Sequence, residues 1–209
     1  MKKLVGLLFV ILLMGVTILA GCGPSPAPTP TPAPTPISTP IPTPIPTVAP
    51  GQYIVHYDGE PAKGSGSANC ECLVHFNTTK LANYVGCKLT GIQIFFYNDG
   101  VPYALNFTAK IYNGDGGTIS SPGTLIYSGG YTLNRGVWNQ VLLDNPIPIT
   151  SGLELWAGFS LVYDGSIGTW PISNDGLPEV PKTSYMRVGT GSWGEYSTNH
   201  NIRLILLKD

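Results

Sequence analysis

The chain has 209 residues, of which only 11% are charged, less than half the ~25% usual for soluble domains, while glycine (26), proline (20) and tyrosine (11) are plentiful. Two of its 11 basic residues, Lys2 and Lys3, stand at the extreme N-terminus, which leaves 9 against 12 acidic groups in the rest and excludes a nucleic-acid binder working through bulk positive charge. Composition divides the chain into a leader over 1–21, a cysteine with a proline-rich linker over 22–50, and a body over 51–209, the last long enough to bury roughly 68–70% of its unfolded surface as one domain.

In the leader, Lys2 and Lys3 precede an uncharged apolar run from Leu4 to Leu19, which ends Leu19-Ala20-Gly21-Cys22. A leucine, two small residues and a cysteine in this place resemble a bacterial lipoprotein signal. The resemblance implies cleavage before Cys22, a diacylglycerol on its sulfur, and a location in the cell envelope with the body facing the exterior or periplasm. A membrane-spanning anchor is the competing reading, because ~17 apolar residues lie at the lower limit for crossing a bilayer. Two or three acyl chains, each contributing ~0.8 kcal/mol per buried methylene, would hold the protein on a membrane without a spanning helix.

The linker from Gly23 to Pro50 holds 12 of the 20 prolines and no charge. Proline fixes φ and pushes its predecessor into extended geometry, so this segment reads as a polyproline-type stalk. At ~3.1 Å per residue it would reach on the order of 85 Å. Such reach serves a module that must contact a wall polymer, another cell or a large substrate.

From Gly51 onward no 12-residue stretch keeps a 3.6-residue apolar period free of Gly or Pro. Short alternating or apolar runs recur instead: Tyr53–Tyr57, Cys70–Asn77, Leu89–Tyr97, Leu105–Tyr112, Thr124–Leu133, Val137–Leu143, Leu153–Tyr163, Ser184–Val188 and Asn201–Leu207. Turn residues separate them, among them Asn98-Asp99-Gly100, Ser121-Pro122-Gly123 and Asn174-Asp175-Gly176. The expected fold is all-β, an antiparallel β-sandwich of jelly-roll type without a substantial helix. Alternation sends Ile92, Ile94 and Phe96 inward, and likewise Leu153, Leu155, Ala157, Phe159 and Leu161, leaving Trp156 on the opposite face. Trp138 reads as core or rim, and His75 as a solvent-face strand residue.

The series Gly86-Cys87-Lys88-Leu89-Thr90-Gly91-Ile92, Lys110-Ile111-Tyr112-Asn113-Gly114, Gly136-Val137-Trp138-Asn139-Gln140-Val141 and Gly152-Leu153-Glu154-Leu155-Trp156-Ala157-Gly158-Phe159, followed by Trp193 and Asn201-Ile202-Arg203, resembles the lectin-like, cleaved-adhesin-type jelly rolls of bacterial surface proteins. The resemblance covers nearly all of 70–207 and implies adhesion or ligand capture, with no catalytic residues to carry over. Such modules usually accompany a catalytic or repeated partner domain, whereas here the module stands alone.

With Cys22 committed to lipid, Cys70, Cys72 and Cys87 remain in an oxidising compartment. Cys70 and Cys72 share a strand face but diverge, so a Cys72–Cys87 bridge is expected ahead of Cys70–Cys87. A zinc site using His75 with Cys70 and Cys72 lacks a fourth ligand. No nucleophile elbow, His-Glu-x-x-His or phosphate loop occurs, so no enzyme is expected. Trp170 and Trp193 lie in irregular glycine-containing segments, where indoles can stack on sugar C–H faces. Tyr185, Tyr196, Asp175, Asn174 and Arg187 would supply the polar and aromatic surround. The alternative role for these rings is to cap the ends of the sandwich. No cofactor is expected. Calcium at Asn113-Gly114-Asp115-Gly116-Gly117 or Ser173-Asn174-Asp175-Gly176 is weighed and not favoured, since both segments read first as plain turns. The sequence therefore points to a membrane-tethered module for a carbohydrate or surface protein. A structural role in an envelope assembly comes second, and an envelope hydrolase with carboxylates roughly 5–9.5 Å apart comes third.

Overall fold

The computed structural model describes residues 49–66, 69–98, 106–114, 117–132, 134–162 and 172–208. The leader, Cys22, almost all of the linker, Asp115 and Trp170 lie outside them. The described strands are β1 (Gln52–Val55), β2 (Lys63–Ser65), β3 (Cys70–Phe76), β4 (Cys87–Phe95), β5 (Asn106–Asn113), β6 (Thr124–Thr132), β7 (Trp138–Pro148), β8 (Leu155–Val162), β9 (Ile172–Pro178), β10 (Ser184–Val188), β11 (Gly194–Glu195), β12 (Thr198–His200) and β13 (Ile202–Lys208). A helical corner, α1 (Thr78–Leu81) followed by a 3-10 turn (Ala82–Tyr84), joins β3 to β4. Among the described residues no helix is long and apolar enough to cross a membrane.

All pairings are antiparallel. A four-stranded sheet runs β1-β13-β4-β7, a six-stranded sheet β11-β10-β3-β8-β5-β6, and a small one β12-β9-β2. The two large sheets share one core, as in a β-sandwich. From the six-stranded sheet come Val74, Phe76, Phe107, Ile111, Phe159 and Leu161; from the four-stranded sheet come Leu89, Ile92, Ile94, Val141, Leu204 and Leu206. Each apolar side chain of this size, fully buried, contributes ~1.5–3 kcal/mol.

All nine runs expected as strands are strands; of the residues expected to face inward, Ile92, Ile94, Phe96, Leu155, Ala157, Phe159 and Leu161 are buried, while Leu153, which precedes β8, is only partly so. Asn174-Asp175-Gly176, expected as a turn, lies inside β9. Gly176 takes φ +67 there, and the β9–β12 register shifts between Thr198 and His200, so an irregular strand absorbs the turn-like residues. The helical corner was not expected. It is only four α-helical residues long, too short for a period to register, and Asn77 caps it by accepting from the Lys80 N–H at 2.9 Å.

The expected Cys72–Cys87 bridge is not formed, and no disulfide joins Cys70, Cys72 or Cys87, all of which are buried. Cys72 lies mid-strand in the six-stranded sheet, opposite Phe159 and Met186, while Cys87 opens β4 in the facing sheet. Burial, a hydrogen bond with Cys70 and the charge of Glu71 push the Cys72 thiol well above its ordinary pKa. All three serve as small core residues. Alternation along β3 sends His75 to the face opposite Cys70 and Cys72, which separates the three groups of a zinc site.

Candidate functional site

Three of the proposed ligand residues meet on the outward face of the six-stranded sheet. There Tyr185 packs with Leu73, Tyr112, Trp156 and Trp193 as a second hydrophobic cluster. Trp156 and Tyr185 lie 4.7 Å apart between ring centroids, His75 stacks on Trp156 at 4.4 Å, and the Arg187 guanidinium sits 4.8 Å over the Trp193 ring. The expectation that Trp156 leaves the main core is met. Its face is nonetheless covered, for Trp156 is only 3% exposed and Trp193 9%. Trp193 thus caps a small core rather than offering a free ring for stacking.

Beside this cluster Glu71, itself buried, accepts hydrogen bonds from Tyr112 Oη at 2.5 Å, Arg187 Nη2 at 2.8 Å and Lys110 Nζ at 3.0 Å. Burial acts to raise its pKa, but these three donors outweigh it and hold the carboxyl below its ordinary range. Arg187 is therefore engaged inside the protein.

Asp175 and Tyr196 lie elsewhere. Asp175, on β9, is buried and accepts from Gly59 N, Leu177 N and Asn199 Nδ2. With both oxygens committed to N–H donors, it organises the small sheet. Tyr196 stacks on the buried His200 at 4.6 Å. The described residues thus do not gather Trp193, Tyr196 and Asp175 into one aromatic cleft. Among them no group of three or more His, Cys, Asp or Glu is placed to hold a metal.

Two clefts among the described residues lie at the helical corner and share Thr79. One, about 460 Å³, is lined by hydroxyls and small apolar groups: Thr78, Thr79, Thr150 and Ser151 with Leu81, Val85 and Leu153. The other, about 440 Å³, is lined by Tyr57, Asn77, Thr79, Lys80, Asn83 and Tyr84. Both volumes fall in the ~300–1,000 Å³ range of small-ligand sites. In the second, Tyr57 is held by stacking on core residue Phe76 at 5.5 Å, and Tyr84 meets Tyr53 edge-on at 5.6 Å. The Lys80 ammonium lies 4.5 Å over the Tyr57 ring. Burial raises the Tyr57 hydroxyl to about 12 and lowers the Lys80 pKa, the charge of Asp58 partly opposing the latter.

Two rings, two amides, a hydroxyl and one ammonium on a rigid corner suit a hydrated, hydroxyl-bearing ligand. Residues 78–85 carry no strand pattern and were therefore passed over in the sequence. The usable signal was Asn77-Thr78-Thr79-Lys80 before Leu81, a capping residue at the end of a strand. In comparison with known proteins, no family model matches this chain and no curated protein shows significant similarity to it.

Proposed function

We propose that the chain is a lipid-anchored, stalked envelope module of jelly-roll type whose body binds a carbohydrate at the Tyr57–Tyr84 cleft. The observation that carries this reading is the composition of that cleft: tyrosine rings fixed by packing, with amide and hydroxyl groups around them. Rigid rings stack on sugar C–H faces at little entropic cost, and the amides bond hydroxyls. Cleavage before Cys22, lipidation there and an extended stalk over 23–50, with a reach on the order of 85 Å, complete the proposal. The resemblance to adhesin-type modules supports capture rather than turnover.

Docking onto a surface protein is the second reading. Edge strand β6 favours it, since TLIYSGGYT carries neither charge nor proline and exposes Leu125 and Ile126. The deciding experiment is retention of the full chain, in detergent micelles, on immobilised cell-wall polysaccharides and on a glycan array, alongside Tyr84→Ala. Tyr84→Ala should lose most of the retention. Equal retention by both proteins would remove the cleft as the site.

A further inference from the structure

Lys80 is half-buried, and its ammonium has no carboxylate within ion-pair distance among the described residues. By contrast, Lys110, Arg187 and Arg203 are each paired with an acid. Two carboxylates lie close enough to affect this neighbourhood electrostatically, Asp58 near Lys80 and Glu154 near Tyr57. Both are already committed. Asp58 accepts from Arg203 Nε at 3.0 Å and Asn201 Nδ2 at 2.9 Å, and Glu154 meets His75 Nε2 at 3.2 Å. A partly desolvated cation without its own counter-ion calls for an anion, and here it lines the cleft proposed above to take a sugar.

We infer that the Tyr57–Tyr84 cleft selects saccharides carrying a carboxylate, uronic acids being the chemical class, with Lys80 pairing with that carboxylate. The inference rests on the carbohydrate reading above. One point charge flanked by neutral amides matches a singly charged group better than a phosphate dianion, which draws on several cations or an arginine fork. The Asn77 side chain strengthens the match: its Oδ1 is taken by the Lys80 N–H, which leaves its amide nitrogen to donate. Because acidic groups outnumber basic ones beyond the leader, bulk attraction cannot bring in an acidic polymer, and recognition must be local.

The test is calorimetric titration of the full chain in detergent micelles with oligogalacturonate, oligoguluronate and oligoglucuronate, with their methyl esters, and with neutral gluco-, xylo- and manno-oligosaccharides. At least one acid should bind about tenfold more tightly than its ester, which has the same ring and no charge. Lys80→Met, which keeps the backbone N–H that Asn77 caps, should bring the acid-to-ester ratio to about one, and Lys80→Arg should restore most of it. Equal binding of acid and ester, or neutral oligosaccharides binding in preference, would overturn the inference and leave the carbohydrate reading standing. Binding of no saccharide at all would overturn both. The acid-to-ester ratio needs no variant, so a misfolded Lys80→Met protein would not obscure the result.

Discussion

His200 offers a direct test of how the small β12-β9-β2 sheet is packed. Its side chain is 1% exposed and stacks on Tyr196, and its ring nitrogens make no hydrogen bond of full geometry. Burial pushes its pKa from 6.5 down to about 4, against a smaller opposing contribution from the Tyr185 backbone. The folded value lies below the unfolded one, so between them the unfolded chain binds more protons, and stability falls as pH drops from about 6.5 to about 4. From about pH 7 to about pH 5 this one group should remove about 2 kcal/mol. His200→Phe keeps a ring against Tyr196 and the backbone N–H that donates to Ser184 Oγ, but cannot titrate. Denaturant unfolding of the compact unit Thr43–Asp209 at both pH values, for parent and variant, isolates the effect because other titrations cancel in the difference. The parent should lose about 2 kcal/mol more than the variant. Equal losses would mean that His200 is accessible to water and that the packing described for β12 is wrong.

Three further outcomes test the core. Ellman's reagent should find no reactive thiol in the folded 43–209 unit and all of Cys70, Cys72 and Cys87 in concentrated guanidinium without reductant, whereas only one in denaturant would reinstate a disulfide. Gly158→Ala would place a Cβ 2.0 Å from the Cys72 carbonyl oxygen and should cost more than about 3 kcal/mol or prevent folding. Gly130→Ala, with nothing within 4 Å, should stay within about 0.5 kcal/mol, and a similar loss at both positions in thermal unfolding would contradict the β3–β8 contact. Glu71→Ala should cost about 2 kcal/mol, because Lys110 and Arg187 lose a buried partner yet keep some access to water. A loss below about 0.5 kcal/mol by chemical denaturation would show that the network contributes nothing net.

The nine principal strands were legible because their apolar residues recur at every second position or in short runs, as Ile92, Ile94 and Phe96 against Gln93 illustrate, whatever covers the other face. Elements held by tertiary pairing were not legible. β2 is Lys-Gly-Ser and β12 is Thr-Asn-His, neither with an apolar stripe, and both exist because β9 supplies hydrogen-bonding partners for them. β9 itself was hidden by turn chemistry at Asn174-Asp175-Gly176. Those same polar side chains hold the sheet together, Asn174 bonding Ser65 and Asp175 bonding Asn199. Composition reports what a backbone would do alone, and here long-range pairing overrides it.

The candidate site shows the same boundary more sharply. A period of two states which face a side chain takes and says nothing about what covers that face. Trp156 was placed correctly on the outward side, whereas Trp193 and Tyr185 were named as ligand candidates, not as its packing partners. Whether those rings meet ligand or each other depends on a loop bringing Trp193 back over the sheet, which is a long-range event. The Tyr57–Tyr84 cleft arises instead where alternation stops. After Phe76 the chain turns into a capped helical corner; Leu81 anchors it in the core, Tyr84 packs partly against that core, and Lys80 stays half-buried at the rim. In a β-sandwich the strand faces are consumed by packing. Concavity for a ligand then falls at the corners between strands, and a search confined to loop aromatics passes over it when the corner is a single helical turn.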